Sequence, residues 1–412
     1  RGSERDELIA PTVAYLRKAQ HWFMLAVIVA VGLLLLLSGQ HIATGFDHWM
    51  IFGFLAIAIG LRSQYMFNVG IAKGFEDFRV TAIVAGIATP INLAMVVLAW
   101  ILDAEVEALL AVFLISGVIF YAISQRLTSR LIQPATTQVQ LPEDFQRRVK
   151  RHMRLVAITV TIGFFAASEV EVFFLNAFGD AEGAGHFKVA YLLASGAVML
   201  VPGVIGSLLL PMMANALSKG RDVAGRRFVA STTYLTLLAA PLVAFGAVYS
   251  EPIISFMYGS AYATAASVFA ACMFACALST VSQSGSSLLI SADKQLTILF
   301  LVILCGVIKV TLDVVLIRNY GLTGATVAYV AAAMFGAVCN LVLALRLIGM
   351  QPDWLRLLRI LLAAAITALA IYPLRGHWPA LPTLVIAGLV TVPVYALLTL
   401  LLRCWSREDI EH

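Results

Sequence analysis

The residues of this chain that could do chemistry are the few charged side chains inside long apolar stretches. Arg62 lies in the stretch 49–72, and Lys309 and Asp313 stand four residues apart in the stretch 296–318. A charged group near the middle of a bilayer costs at least about 2.5–3.5 kcal/mol, so it normally faces a protein interior or a wet cavity. These positions predict a polar passage between apolar helices.

Arg62 is the first candidate for ligand binding, and Gln64 and Asn68 share its stretch. A guanidinium group binds phosphate oxygens through two parallel hydrogen bonds, so Arg62 could provide a cationic binding surface for an anionic headgroup. The alternative is structural: Arg62 bonds to backbone carbonyls, or its side chain extends along the helix toward the headgroups.

The stretch 262–290 is rich in hydroxyl residues toward its inner end. These residues either stabilise helix packing or line a hydrophilic cavity for sugar hydroxyls. Gln283 is the best candidate for sugar binding there.

The acidic residues are the candidates for ion coupling. Lys309 and Asp313 share one helix face and lie within reach of each other. They either neutralise each other and only orient helices, or Lys309 meets phosphate while Asp313 exchanges a proton or Na⁺. Glu169 and Glu171, two residues apart in the stretch 154–176, point to different faces. One is expected to bind the coupling ion and the other to reach the outer interface.

The elements that position these residues are transmembrane helices. The chain is 61% hydrophobic and 12% charged, about half the ~25% charged fraction of soluble domains. In lipid every backbone group must be bonded within its segment, so long apolar stretches are helices. An all-α polytopic membrane protein is predicted, with twelve spans at 22–38, 49–72, 80–102, 108–124, 154–176, 187–210, 228–250, 262–290, 296–318, 323–347, 357–374 and 380–403.

The basic residues predict the orientation. With a cytoplasmic N-terminus, 23 Lys and Arg lie on the cytoplasmic side, 3 on the other side and 2 within spans, which accounts for all 28. The positive-inside rule therefore places both termini in the cytoplasm. The net charge of +5 reflects this topology and gives no reason to expect nucleic-acid binding. The five cysteines are expected to be reduced and structural.

The sequence contains no template for an enzyme. It has no H-E-x-x-H, G-x-S-x-G or P-loop motif and no clustered metal ligands, so we expect neither catalytic residues nor a metal or cofactor beyond a coupling H⁺ or Na⁺. A membrane polymerase or ligase would need reactive groups on a long outer loop. The longest predicted outer loop, 249–261, offers Glu251 and little else.

The chain divides into four parts. These are a partial N-terminal lobe of four spans (1–124), a cytoplasmic basic linker (125–153), a C-terminal lobe of six spans (154–347), and two extra helices with a cytoplasmic tail (348–412). At an offset of 219 residues, Ser63-Gln64 falls on Ser282-Gln283, which suggests an internal repeat. Lobes of six spans would then leave the first lobe two helices short, so we expect a leading helix pair to be absent.

Several segments resemble the polysaccharide transporter, or O-antigen flippase, family of the multidrug/oligosaccharidyl-lipid/polysaccharide (MOP) exporter superfamily. The resemblance covers nearly the whole chain and rests on the order and spacing of four segments. The first is the stretch after Glu171, with Ala190-Tyr191, Leu210-Pro211 and Ser218-Lys219-Gly220, and the others are 257–262 (MYGSAY), 289–294 (LISADK) and 321–326 (GLTGAT). This resemblance implies helices 3–14 of a fourteen-helix fold, in two lobes around a central cavity, without the first helix pair.

The resemblance also implies a function and a cargo. Such proteins flip undecaprenyl-diphosphate-linked oligosaccharide across the bacterial inner membrane by alternating access. Arg62 and Lys309 would then hold the diphosphate, and Asp313, Glu169 or Glu171 would couple the cycle to an ion gradient. The sugars would be bound by Gln64, Asn68 and Gln283. A lipid II or multidrug exporter of the same superfamily is the first alternative, and a membrane glycan polymerase or ligase or a non-transporting scaffold the next.

The expected partners follow from that cargo. They are the lipid-linked oligosaccharide itself, the surrounding membrane lipids, and the glycosyltransferases and polymerase that build and extend the repeat unit. A monomer is expected, located in the bacterial inner membrane.

Overall fold

The chain is almost entirely helical where its structure is described. The computed structural model describes residues 9–38, 48–75, 77, 79–131, 142–163, 169–201, 203–350, 352–376 and 379–405. Both termini, which the sequence assigns to the cytoplasm, lie outside these ranges. Within them the α-helices are α1 (Ile9–Ser38), α2 (His48–Gly74), α3 (Arg79–Ile101), α4 (Val106–Thr128), α5 (Glu143–Gly163), α6 (Glu169–Ala177), α7 (Ala181–Met199), α8 (Gly203–Ser218), α9 (Arg221–Val248), α10 (Ser250–Tyr258), α11 (Ala265–Ser291), α12 (Gln295–Ile348), α13 (Trp354–Ile371) and α14 (Ala380–Leu401).

Most of these helices are apolar enough to cross a membrane. In the described ranges nine are long and apolar enough for a span, and Leu208–Ser218 is a shorter apolar helix. The prediction of an all-α polytopic membrane protein is confirmed. Two predicted spans differ in detail: 154–176 covers the end of α5 and α6 except its last residue, and 187–210 is divided between α7 and α8.

Helix α12 is a hairpin of two spans, as its 54 residues suggest. Gly321 has φ 52° and ψ −130° inside it, a backbone conformation that favours glycine because a Cβ would clash. A Cβ built on Gly324 would lie 2.1 Å from the carbonyl oxygen of Leu316. Residues eight apart along a straight helix are separated by about 12 Å, so the second half (322–348) folds back along the first (295–320).

The chain forms two compact units, Arg1–Val149 and Lys150–His412, here called the N-terminal and the C-terminal unit. Their boundary falls inside the predicted linker 125–153, of which residues 132–141 lie outside the described ranges. In the N-terminal unit α4 packs against α2 and α3, and α1 packs against α2. Its core is built on the buried residues Ala72, Val80, Val84 and Ala88.

The C-terminal unit is organised around α11. This helix packs against α7, α8, α9 and α12, while α13 packs on α9 and α14. Many of its residues are Ala, Ser, Gly or Cys, and such small side chains allow membrane helices to approach closely. The core between them contains the fully buried side chains of Leu175, Phe187, Phe228 and Phe269. The central helix therefore fixes where the polar groups of its neighbours lie.

The predicted outer loop 249–261 is not a loop. It folds as the helix α10 followed by a 3₁₀ turn at Ser260–Tyr262. Glu251, the acidic residue that the sequence singled out there, forms an ion pair with Arg375.

Candidate functional site

Three ionisable side chains meet inside the C-terminal unit. Lys309 Nζ lies 2.8 Å from Glu171 Oε2 and 3.2 Å from Asp313 Oδ2. The side chain of Lys309 is 2% exposed and both carboxylates are 0% exposed. We call these residues the buried triad, and they join α6 to the first half of α12.

The local part of the triad follows from helix geometry. Lys309 and Asp313 are separated by one helical turn, which brings side chains together on one face, and the predicted contact between them is confirmed. The contact with Glu171 comes from tertiary packing of α6 on α12. Sequence reasoning did not pair Glu171 with Lys309, although a buried lysine beside a single aspartate leaves room for a second carboxylate.

Glu169 and Glu171 point in different directions, as their spacing predicts. Glu169 is exposed, and its Oε1 lies 2.7 Å from Nζ of Lys188 on α7. Glu171 is fully buried among the triad. The sequence alone could not say which carboxylate turns inward. The structure brings Glu171 together with Asp313 and leaves Glu169 in a surface ion pair.

The charges of the buried triad do not balance when all three groups are ionised. One ammonium then faces two carboxylates, which leaves one negative charge in excess. Burying an uncompensated charge costs several kcal/mol. Asp313 Oδ1 is buried and has no hydrogen-bond partner among the described residues. The arrangement can therefore hold one additional proton or monovalent cation.

A cavity of about 280 Å³ lies beside the triad, between α11 and the two halves of α12. We call it the C-terminal cavity. Lys309 lines it, together with the polar side chains of Ser279, Ser282, Tyr329 and Asn340. Lys309 thus belongs both to the triad and to the cavity wall. Gln283, the sugar-binding candidate, is exposed on α11 and is not one of the residues that line this cavity.

The three candidates of the N-terminal unit lie in different environments. Arg62 is exposed, with its Cζ 5.4 Å from the centroid of the Tyr65 ring. Gln64 Nε2 lies 2.7 Å from His21 Nε2. Asn68 is fully buried and donates to Ser124 Oγ at 3.2 Å, a contact that ties α2 to α4. The amide of Asn68 is engaged between these two helices, and its assignment to sugar binding stays a prediction.

Gln64 lines a second cavity, of about 320 Å³, which lies within the N-terminal unit between α1, α2 and α4. We call it the N-terminal cavity. Arg17 and His21 of α1 also line it. Sequence reasoning missed both because it began the first span at residue 22, whereas α1 begins at Ile9. The signal that could have revealed them is the segment 9–21, which is partly amphipathic and continues the helix before the apolar run.

Ligands for a metal ion are not grouped in the described part of the chain. There, no three His, Cys, Asp or Glu side chains lie close enough together to hold one. The described residues that line the two cavities include Arg17 in the N-terminal cavity and Lys309 in the C-terminal cavity, together with neutral hydrogen-bonding side chains.

Comparison with known proteins gives the fold a context. The model of a family described as "polysaccharide biosynthesis protein" matches residues 14–267. One similar solved structure is the lipid II flippase MurJ in an inward closed conformation, with a TM-score of 0.69 and 14% identity over 98% of this chain and 85% of that one. Another is an outward-facing multidrug resistance MATE family transporter of the MOP superfamily, with a TM-score of 0.64 and 14% identity over 84% and 79% of the two chains. No curated protein sequence gives a significant match.

Proposed function

Because this chain belongs to the polysaccharide biosynthesis protein family and has the fold of MOP superfamily flippases, we propose that it flips polyprenyl-diphosphate-linked oligosaccharide across the bacterial inner membrane. The resemblance seen in the sequence points to the same class of cargo. Alternating access would carry the polar headgroup through the protein while the polyprenyl tail stays in lipid. The repeat unit would be that of an O-antigen, a capsule or an exopolysaccharide.

The observation that carries this proposal is the buried triad. Ionisable groups inside membrane helices are expensive and usually mark ion or substrate pathways. Lys309 between two carboxylates supports a coupling role for Glu171 and Asp313, with H⁺ or Na⁺ as the coupling ion. Because both carboxylates already bind the ammonium, we assign Lys309 to this coupling site rather than to the diphosphate. Glu169, in its surface pair with Lys188, is the weaker candidate.

The cargo itself would be bound by groups that a headgroup can reach. The exposed Arg62 remains a candidate for the diphosphate, and the half-buried Gln64 and exposed Gln283 remain candidates for sugars. Arg62 also argues against a cationic drug as the main substrate, because like charges at a binding surface repel. A lipid II cargo shares the polyprenyl diphosphate and differs only in its sugars.

The proposed cellular setting follows from the cargo. Glycosyltransferases would assemble the lipid-linked unit on the cytoplasmic leaflet, and a polymerase would extend it on the other side. Both termini would face the cytoplasm, in agreement with the distribution of Lys and Arg. A monomer would suffice for this cycle.

Flipping can be measured directly. The protein is reconstituted in liposomes that contain a fluorescent polyprenyl-diphosphate oligosaccharide, and a membrane-impermeant reductant bleaches the outer leaflet. We expect bleaching to exceed the half that is initially outside, and unlabelled oligosaccharide lipid to compete better than lipid II or a cationic drug. Better competition by lipid II or the drug would favour those alternatives. Elongation of the glycan by the purified protein would favour a polymerase.

A further inference from the structure

The N-terminal cavity is more polar than its surroundings. Of the seven described residues that line it, five carry hydrogen-bonding side chains, and they are Arg17, His21, Gln64, Tyr121 and Gln125. The other two are Gly60 and Leu61. The described residues of its lining include one arginine and no carboxylate. A cavity with one guanidinium group and several neutral hydrogen-bond donors is complementary to an anion.

The position of the Arg17 guanidinium is fixed by neighbouring side chains. Arg17 is half-buried, and its Cζ lies 5.7 Å from the centroid of the Phe67 ring. An arginine over an aromatic face is held by a cation–π attraction. One turn away, Gln20 Nε2 donates to Ser63 Oγ at 2.9 Å and joins α1 to α2 at the same level. The cavity is therefore organised before any ligand enters.

Size and donor chemistry together identify the ligand class. Small-molecule sites occupy about 300–1,000 Å³, so a cavity of about 320 Å³ is at the small end and cannot enclose an oligosaccharide. A guanidinium binds phosphate oxygens in a bidentate manner, while the amides and the phenol can donate to the remaining oxygens. We propose that the N-terminal cavity binds the diphosphate of the lipid-linked cargo, with Arg17 as its principal ligand. This inference rests on the proposed function.

A binding experiment with matched variants tests the charge. The full chain is placed in nanodiscs of phosphatidylcholine, and its affinity for polyprenyl diphosphate is compared with that for the uncharged polyprenol. Arg17→Gln is expected to weaken diphosphate binding by about tenfold or more, because hydrogen bonds to charged groups are the strong ones. Lys18→Gln is the control: Lys18 is the exposed neighbour on the same helix and does not line the cavity.

A second pair of variants tests whether the diphosphate occupies the N-terminal cavity, without changing any charge. A Cβ added at Gly60 or at Gly53 meets no atom within 4 Å, so α2 tolerates a side chain at either position. Only Gly60 lines the cavity. Gly60→Leu is expected to fill the cavity and to weaken diphosphate binding at least as much as Arg17→Gln, whereas Gly53→Leu leaves the affinity unchanged.

The outcomes separate this inference from the proposed function. If the unaltered protein binds polyprenyl diphosphate no better than polyprenol, a diphosphate-linked cargo is wrong and the proposed function fails. If it prefers the diphosphate but Arg17→Gln and Gly60→Leu both bind it as tightly, the phosphates sit elsewhere. The proposed function would then stand, and the assignment of this cavity would be overturned.

Discussion

Lys309 Nζ lies 2.8 Å from Glu171 Oε2, and this contact joins α6 to the first half of α12 inside the C-terminal unit. Both side chains are removed from water, so each requires the opposite charge of the other. Asp313 contributes a second carboxylate at 3.2 Å. The ammonium thus occupies the place between two carboxylates where a bound cation would otherwise sit. Movement of α6 relative to α12 would change how strongly these carboxylates hold a proton or an ion.

Removal of the ammonium should destabilise the protein. Lys309→Met leaves two buried carboxylates without a counter-charge, and the loss of one partner of a buried ion pair typically costs about 3–5 kcal/mol. The double variant Lys309→Met/Glu171→Gln should recover much of this, because the remaining carboxylate can be neutralised by a proton. Denaturant unfolding of the purified proteins, followed by tryptophan fluorescence, measures the loss of stability in the single variant and its recovery in the double variant. Equal midpoints for the single variant and the unaltered protein would contradict the pairing.

Variants of Glu171 and Glu169 should distinguish a carboxylate that couples flipping to an ion gradient from one that forms only a surface ion pair. Glu171→Gln removes one carboxylate of the triad, so flipping in liposomes is expected to lose its response to an imposed H⁺ or Na⁺ gradient. Glu169→Gln breaks only the partly exposed pair with Lys188, which is worth at most about 1 kcal/mol. Its flipping rate and gradient response should stay within about twofold of the unaltered protein. A gradient response lost in Glu169→Gln but kept in Glu171→Gln would reverse the assignment.

The sequence could predict contacts in this site between residues that are close along the chain, but not contacts between residues on different helices. The Lys309–Asp313 contact is local, because one helical turn fixes which side chains meet. The Glu171 contact depends on how α6 packs against α12, and nothing in a hydropathy pattern specifies that register. The same limit explains Asn68, whose amide donates to Ser124 of another helix, and Gln283, which is exposed and is not among the residues that line the C-terminal cavity.

The spans themselves were predictable because a bilayer imposes their length and apolar character. Errors arose where helices are polar. Helix α1 begins at Ile9, before the apolar run, and so Arg17 and His21 escaped attention. Helix α5 begins at Glu143 and carries a basic face, so the predicted span 154–176 started inside an existing helix. A helix is longer than its apolar part whenever it continues beyond the membrane.

The turn of the α12 hairpin should depend on a glycine. A Cβ at Gly324 would lie 2.1 Å from the Leu316 carbonyl oxygen and 2.9 Å from the Ile317 nitrogen, both of them backbone atoms that cannot rotate away. Gly324→Ala is therefore expected to cost about 1–3 kcal/mol, the usual range for overpacking. Gly388→Ala is the control, because its Cβ meets nothing within 4 Å. Unfolding midpoints of the two variants should differ, and equal midpoints would show that the two halves of α12 are farther apart.

Cysteine labelling should show whether water reaches the triad. Cys305 lines the C-terminal cavity beside Lys309, whereas Cys272 is fully buried in the core. The thiolate is the form that reacts, and it requires access to water. In variants that retain only one of these cysteines, a charged methanethiosulfonate should modify Cys305 at least about tenfold faster than Cys272. Mass spectrometry of the intact protein measures both rates. Equal slow modification would mean that the cavity is dry, and a dry cavity would give no path for an ion to reach Glu171 or Asp313.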